Sequence, residues 1–205
     1  IKAAAGRIPV MIYVGTADPA TAVELAAHAS KAGATAVSAV PPFYYQHGFA
    51  QIKAHYAAII AASSVPMYAY HIPSATGTNM TEHEILELCA MDGVAGFKYT
   101  SQDLTVLERV LALRDPEKVN VMSGPDPLFL ATYALGVDGC IGTTYNFQPR
   151  CYIDIKGAFD AGDLDLARKL QRTASNIIEV LRKYGVMPGT KAALNLQGYD
   201  AGFCV

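Results

Sequence analysis

Six short apolar runs alternate with longer amphipathic segments, and this alternation constrains the fold of the chain more than any other feature. The apolar runs have the length and composition of buried strands, while the segments between them carry apolar residues at helical spacing. The predicted strands are 8–14, 36–40, 65–70, 94–99, 119–122 and 140–143. The predicted helices are 21–32, 49–62, 81–91, 103–113, 126–135 and 149–161, followed by 163–184 and 190–196. Consecutive strand–helix units predict an α/β protein with a parallel sheet covered by helices.

Two architectures have this alternation: an open doubly wound sheet and a closed eight-stranded (β/α)8 barrel. No G-x-G-x-x-G follows the first strand, so the main signal for a dinucleotide-binding sheet is missing. Polar or reactive residues follow almost every strand: Thr16, Tyr44, Tyr45, Tyr70, His71, Lys98, Thr100, Ser123, Asp126 and 143–146. In a barrel these strand ends converge on one face, which favours the TIM barrel. We predict a single domain over 1–205 whose part 163–205 is helical, although six units are two short of a closed barrel.

Composition excludes several classes of function. The chain has 205 residues, of which 52% are hydrophobic, and a formal net charge of −2, so neither nucleic acid nor an anionic membrane is an expected partner. No apolar run reaches the roughly 20 residues of a membrane span, and the start shows no signal-peptide pattern. The four cysteines are scattered and the histidines lack zinc-binding spacing, so we expect a cytoplasmic protein without a structural metal.

Lys98 is unusual because it directly follows the apolar residues of a predicted buried strand, in the stretch V-A-G-F-K-Y-T. Strand alternation places Lys98 and Thr100 on one side of the sheet and Phe97 and Tyr99 on the other. A desolvated amine loses its proton more readily and becomes nucleophilic toward a carbonyl. A strand-end lysine that extends into solvent is the alternative interpretation, and position alone leaves both open.

Two tyrosine-containing segments are further candidates. Tyr70 ends a predicted strand, where a phenol can transfer protons or can simply lie at the rim with its ring half buried. Tyr44 belongs to the aromatic loop P-P-F-Y-Y-Q-H-G-F at 41–49, which is equally typical of an oligomer contact.

Two polar turns complete the set of candidates. Gly124 and Asp126 lie in S-G-P-D-P, between a predicted strand and a predicted helix, where Asp126 can bind a ligand or cap the helix. Gly142 and Thr143 lie in G-C-I-G-T-T-Y-N, whose backbone amides suit a small anion or hydroxyl groups. An ordinary glycine-rich turn would have the same composition.

Taken together, these motifs resemble the N-acetylneuraminate lyase and dihydrodipicolinate synthase superfamily of pyruvate-dependent class I aldolases. The resemblance covers essentially the whole chain and is carried by Y-H-I-P-S-A-T-G at 70–77, G-F-K-Y-T-S-Q-D-L at 96–104 and G-V-D-G-C-I-G-T-T-Y-N at 136–146, with A-V-S-A-V-P-P-F-Y-Y at 36–45 in support. The second and third motifs are most similar to the N-acetylneuraminate lyase branch. The resemblance implies barrel strands three to eight, without the first two βα units and without their G-[ST]-T-G-E loop, which holds the pyruvate carboxylate.

The resemblance also implies roles for the candidate residues. Lys98 is then the lysine that forms a Schiff base with pyruvate, and Tyr70 the tyrosine that moves the proton of the substrate hydroxyl. Thr100, Gly124, Asp126, Gly142 and Thr143 fall in the segments that bind the rest of the substrate, an aldehyde or amino sugar in the cleaved form. Tyr44 is the third implied catalytic residue, because it matches a tyrosine inserted into the active site of a neighbouring subunit, which implies a homo-oligomer, commonly a tetramer. No metal or organic cofactor is implied.

Two positions depart from the family pattern and keep several substrates open. Ala75 stands where dihydrodipicolinate synthases usually carry an arginine for a substrate carboxylate. Pro127 stands where sialic acid lyases typically carry a glutamate. N-acetylneuraminate cleavage is the leading expectation, a 2-keto-3-deoxy sugar acid aldolase comes next, and 4-hydroxy-tetrahydrodipicolinate synthase follows. A catalytically silent relative that only binds a 2-oxo acid is an expectation of a different class.

Overall fold

The computed structural model describes residues 1–204, which divide into two compact units. The first unit is Ile1–Met122, and the second begins at Ser123. Strands and helical segments alternate up to Asp160, as the sequence predicts, and two further helices follow. Among residues 1–204, no helix combines the length and the apolar character needed to cross a membrane.

The first unit is a parallel sheet with helices in its connections. Its strands are β1 (Met11–Tyr13), β2 (Ala36–Ala39), β3 (Met67–His71), β4 (Val94–Tyr99) and β5 (Asn120–Ser123), and they neighbour one another in this order, with Ser123 already in the second unit. Its helices are α1 (Pro19–Lys31), α2 (Phe49–Ala62), α3 (Pro73–Thr76), α4 (Glu82–Cys89) and α5 (Leu104–Leu113). The first four strands pair in parallel.

The register of the sheet arranges its side chains in rows. Tyr13 pairs with Ser38, Ser38 with Tyr68, and Tyr68 with Gly96, so one row crosses four strands at the same level. Two residues further along the strands, Tyr70 pairs with Lys98. Because residues two apart on a strand share a face, all of these side chains lie on one face of the sheet.

The face that carries Tyr70 and Lys98 is the less buried of the two faces of the sheet and is called the open face below. In β3, Met67, Ala69 and His71 are buried, whereas Tyr68 and Tyr70 between them are only half buried. The hydrophobic core of the first unit therefore lies on the opposite face of the sheet, and the open face carries Tyr70 and its row.

Helix α4 begins with a capping box formed by Thr81 and Glu84. The Thr81 hydroxyl accepts a hydrogen bond from the Glu84 amide, and the Glu84 carboxylate accepts one from the Thr81 amide. Two backbone donors at the helix start are thus satisfied reciprocally.

The second unit is mainly helical. It contains α6 (Phe129–Ala134), β6 (Gly139–Cys140), α7 (Pro149–Asp160), α8 (Leu164–Tyr184) and α9 (Val186–Leu196), with 3-10 turns at Asp126–Leu128 and Thr144–Asn146. The Ile141 amide donates to the Ser123 carbonyl across 2.8 Å. The core of this unit contains Phe129, Tyr152, Ile155, Ala158, Ala167 and Ala174.

Several element boundaries differ from the sequence prediction. The strand predicted at 140–143 ends at Cys140, because Thr143 already has helical backbone angles before the next 3-10 turn. The short helix α3 was not predicted, although Pro73 at its start and the left-handed Gly77 at its end form a recognisable pair of boundary signals. The last helix begins at Val186 rather than at residue 190.

Candidate active site

Lys98 and Tyr70 lie against each other on the open face of the sheet. They are register partners on β4 and β3, and the Lys98 Nζ lies 4.0 Å from the centroid of the Tyr70 ring. An ammonium over an aromatic face is attracted by the negative face of the ring. The neighbours of Lys98 in sequence, Phe97 and Tyr99, are 0% and 2% exposed on the other face, as strand alternation predicts. The structure thus brings together Lys98 and Tyr70, two of the three residues with predicted catalytic roles.

Behind this pair, His71 lies in an aromatic stack. Its ring is fully buried and stacks on the Tyr99 ring at a centroid distance of 5.2 Å and an interplanar angle of 20°. Burial lowers the pKa of His71 to about 4, an effect that the nearby Asn79 side chain opposes only in part. The imidazole is therefore neutral at pH 7 and acts as part of the core that backs Tyr70 and Lys98.

Thr100 follows Lys98 by two residues and is also placed by β3. Its amide donates to the His71 carbonyl across 2.8 Å, which extends the parallel pairing beyond the end of β4. Its Oγ1 is buried and has no partner among residues 1–204. A hydroxyl at the end of this strand thus keeps its full capacity to donate and accept hydrogen bonds.

Gly96 leaves the space in which Tyr68 lies. A Cβ atom on Gly96 would overlap the Tyr68 ring and would lie 2.8 Å from the Asn120 carbonyl oxygen. The missing side chain lets the Tyr68 ring cover β4 one step before Lys98. The Tyr68 ring therefore lies on the same face of the sheet as Tyr70 and Lys98, one step before them along the strands.

Tyr44 is positioned differently from the other predicted residues. Its side chain is 84% exposed and makes an edge-to-face contact with Tyr45 at a centroid distance of 4.9 Å. Its backbone has a φ of 88°, a conformation that costs a non-glycine residue about 1–3 kcal/mol. Tyr44 and Tyr45 therefore form an exposed aromatic pair in a strained loop, and packing against the core of the first unit does not account for the strain.

In the second unit, Asp126 is buried, and one of its carboxylate oxygens accepts two hydrogen bonds. Oδ2 accepts hydrogen bonds from the Thr144 amide at 2.8 Å and from the Thr144 hydroxyl at 2.7 Å. Asp126 does not cap a helix with its side chain, because Pro125 is the cap residue of the 3-10 turn. The alternative interpretation of Asp126 as a helix N-cap is therefore wrong, and the carboxylate instead connects two turns that are 18 residues apart in sequence.

The hydrogen-bond chain continues from Thr144 to Tyr152 on α7. The two hydroxyl oxygens are 2.6 Å apart, and because Thr144 donates to Asp126, Tyr152 is the donor in this bond. Burial raises the pKa of Tyr152 to about 12, so the phenol keeps its proton at neutral pH. The sequence analysis missed both Thr144 and Tyr152, whose roles depend on contacts between distant segments.

The predicted Gly124, Gly142 and Thr143 lie close in sequence to Asp126 or Thr144, and Gly142 also contacts the Asp126 carboxylate. A Cβ on Gly142 would overlap the Asp126 Oδ1 and lie 2.5 Å from the Asp126 Cγ, so the carboxylate lies directly against the Gly142 backbone. The Thr143 carbonyl accepts a hydrogen bond from the Asn146 side chain at 2.8 Å. Gly124 lies between β5 and the 3-10 turn that carries Asp126. Within residues 1–204, no group of three or more His, Cys, Asp or Glu side chains is placed to hold a metal ion.

Comparison with protein families gives one match that spans residues 1–205, to the dihydrodipicolinate synthetase family. This chain belongs to that family. Among curated relatives, an N-acetylneuraminate lyase of Rhizobium meliloti is 39% identical over 200 residues, which are 98% of this chain and 66% of the relative. One from Lactiplantibacillus plantarum is 38% identical over 97% of this chain and 67% of its own. The chain thus spans about two thirds of the length of the relatives it matches.

Solved structures give the same result for the fold. The protein CdNal from Clostridium difficile, solved in complex with mannosamine, matches 99% of this chain and 69% of its own with a TM-score of 0.94 and 30% identity. An N-acetylneuraminate lyase from Fusobacterium nucleatum matches with a TM-score of 0.92 and 34% identity, over 100% of this chain and 70% of its own. The prediction of a (β/α)8 barrel represented by six of its strands is confirmed.

Proposed function

We propose that the protein is a lyase that uses Lys98 to form a Schiff base with a 2-oxo acid and to cleave or form a carbon–carbon bond to pyruvate. The observation that carries this proposal is the contact of Lys98 with Tyr70 on the open sheet face, with the amine 4.0 Å from the ring centroid. A nucleophile and a proton-transferring group on neighbouring strands are the two groups that such a reaction requires.

In the cleavage direction, the unprotonated Lys98 amine attacks the carbonyl carbon of the substrate, and water leaves as the iminium forms. Iminium formation consumes one proton, which the Tyr70 phenol donates to the departing water. The iminium then accepts the electron pair of the breaking carbon–carbon bond, while the resulting Tyr70 phenolate removes the proton of the hydroxyl on the carbon that becomes the aldehyde. Protonation of the resulting enamine and hydrolysis release pyruvate and regenerate the amine. The lysine itself is the electron sink, so the step requires no further cofactor.

Five further residues are proposed to bind the rest of the substrate. The resemblance assigns Thr100, Gly124, Asp126, Gly142 and Thr143 to the part of the substrate that leaves as the aldehyde. A buried carboxylate such as that of Asp126 suits this role, because it accepts hydrogen bonds from sugar hydroxyl groups. Tyr44 is proposed to contact a second subunit of a homo-oligomer, commonly a tetramer in this family, and its 84% exposure is consistent with this.

N-acetylneuraminate is the substrate we favour, since the relatives with 38% and 39% identity are N-acetylneuraminate lyases. Pro127 in place of a glutamate makes a 2-keto-3-deoxy sugar acid the second candidate. Because Ala75 stands in place of an arginine, 4-hydroxy-tetrahydrodipicolinate synthesis is the third candidate reaction. We propose that the enzyme works in the cytoplasm.

Borohydride reduction in the presence of pyruvate tests the proposal. The intact mass of the protein is expected to increase by one reduced pyruvate, and Lys98→Ala is expected to abolish the increase. Lys183→Ala is the matched control, because Lys183 is an exposed lysine in the last turn of α8. An adduct that persists in Lys98→Ala contradicts the mechanism, and the absence of any adduct supports the silent 2-oxo-acid-binding relative. Release of pyruvate from each candidate substrate then identifies the reaction.

A further inference from the structure

The side chain of Gln171 on α8 bonds to the segment that carries Asp126. Gln171 is half buried, and its Oε1 accepts a hydrogen bond from the Leu130 amide at 3.0 Å. Its Nε2 donates to the Asp126 carbonyl at 3.4 Å and to the Ser175 hydroxyl at 3.3 Å. One amide side chain thus connects α8 to two backbone groups on either side of the start of α6.

These backbone groups have few partners within their own segments. The 3-10 turn Asp126–Leu128, called the Asp126 turn below, leads directly into α6, and neither element has a side-chain hydrogen bond from its own cap residue. The first amides of a helix also have no acceptor inside the helix. Gln171 therefore supplies, from another helix, an acceptor that the start of α6 lacks.

Two buried alanines fix the position of Gln171. Ala167 and Ala174 lie four residues before and three residues after it, so the three side chains share one face of α8. Both alanines are 0% exposed and belong to the core of the second unit. Gln171 is thus a polar residue on a buried stripe, where burial is favourable only if its hydrogen bonds are satisfied. Its bonds to the Asp126 turn and to α6 meet that condition.

Asp126 is consequently held at both of its polar ends. Gln171 holds its carbonyl, and Thr144 holds its carboxylate through bonds of 2.8 Å and 2.7 Å. A turn fixed in this way keeps the carboxylate in one orientation, whereas release of the carbonyl lets the turn tilt. Orientation matters for binding because hydrogen bonds weaken steeply as their angles depart from the optimum.

We propose that Gln171 is a positioning residue, which orients the Asp126 turn for the part of the substrate that leaves as the aldehyde. This inference rests on the proposed function, in which Asp126 contacts that part. Gln171 then affects the affinity for the cleavable substrate. The reaction of pyruvate with Lys98 is independent of Gln171, because pyruvate lacks the part concerned.

Gln171→Glu and Gln171→Met separate the two bonds of this side chain. A glutamate carboxylate still accepts from the Leu130 amide but has no proton to donate to the Asp126 carbonyl. Methionine keeps the length of the side chain and replaces neither bond. Asn176→Leu is the matched control, because Asn176 is an exposed amide on the same helix.

The test compares cleavage with pyruvate trapping in the wild type and these variants. Steady-state cleavage is measured with the candidate substrate from which the wild type releases pyruvate, and borohydride trapping is measured as a function of pyruvate concentration. Both Gln171 variants are expected to raise the KM of the cleavable substrate about fivefold or more, with little change in kcat. The half-saturating pyruvate concentration is expected to equal that of the wild type, which also shows that the variants fold. Asn176→Leu is expected to match the wild type in both measurements.

An unchanged KM in Gln171→Glu overturns the role of the bond to Asp126. An equal increase in KM and in the half-saturating pyruvate concentration overturns it as well, because a general structural loss has that effect. If Gln171→Met does not fold, Gln171→Glu decides alone. A wild type that traps no pyruvate, or that cleaves no candidate substrate, overturns the proposed function and this inference together, whereas cleavage without an effect of Gln171 overturns the inference alone.

Discussion

Replacing Gly142 with alanine tests whether the Asp126 carboxylate is held rigidly against the chain. The new Cβ would overlap Oδ1 and lie 2.5 Å from Cγ, whereas carbon atoms in contact are about 3.5–4.0 Å apart. The carboxylate must therefore move by more than about 1 Å. Such a shift breaks the 2.7 Å and 2.8 Å hydrogen bonds from Thr144 to Oδ2.

Each of these hydrogen bonds to a charged group contributes about 1.5–3 kcal/mol, so Gly142→Ala is expected to reduce the free energy of unfolding by about 3–6 kcal/mol. At a urea dependence of about 2 kcal/mol per molar, the unfolding midpoint falls by roughly 2 M. Urea titration followed by circular dichroism measures this shift.

Gly157→Ala is the matched control in the same unit. Gly157 lies inside helix α7, and a Cβ there meets nothing within 4 Å. This substitution is expected to stabilise the protein by up to about 1 kcal/mol, because alanine favours a helix over glycine. If Gly142→Ala unfolds at the same urea concentration as the wild type, the described packing of Asp126 against Gly142 is wrong.

Two further substitutions test the cores behind the site. Thr144→Val removes the hydroxyl between Asp126 and Tyr152 and is expected to reduce the free energy of unfolding in urea by about 2 kcal/mol. Thr144→Ser keeps the hydroxyl and serves as the control. Equal losses of stability in both variants would contradict the hydrogen-bond chain. His71 has its pKa lowered to about 4 in the folded protein, so the unfolded chain binds the additional proton first as pH falls. Stability is therefore lost between about pH 6.5 and pH 4, by about 3 kcal/mol for this group, and His71→Phe is expected to flatten the melting temperature over that range. The exposed His83→Phe serves as its control, and an unchanged pH dependence in His71→Phe would contradict the buried neutral imidazole.

The sequence predicts much of the first unit because its signals there are local. Strand alternation separates Lys98 from Phe97 and Tyr99, and the structure confirms that the two aromatic residues are buried on the other face. The capping box of Thr81 and Glu84 is equally local, since it depends on residues three positions apart.

Other parts of the candidate site depend on contacts between distant segments. Asp126 and Thr144 are 18 residues apart, and no periodic pattern in the sequence predicts the hydrogen bond between them. The row of Tyr13, Ser38, Tyr68 and Gly96 depends on the register of four strands, which a single sequence does not specify. The early end of β6 has the same origin, because the chain turns at Thr143 to place Thr144 on the Asp126 carboxylate.

The central claim is that the Lys98 amine, beside Tyr70, is the nucleophile of the enzyme. Peptide mapping of the protein after borohydride reduction with pyruvate measures this most directly, because it locates the modified residue. The account predicts a single reduced pyruvate adduct in the peptide that contains Lys98. An adduct on any other lysine, or an unmodified Lys98 peptide at saturating pyruvate, would contradict it.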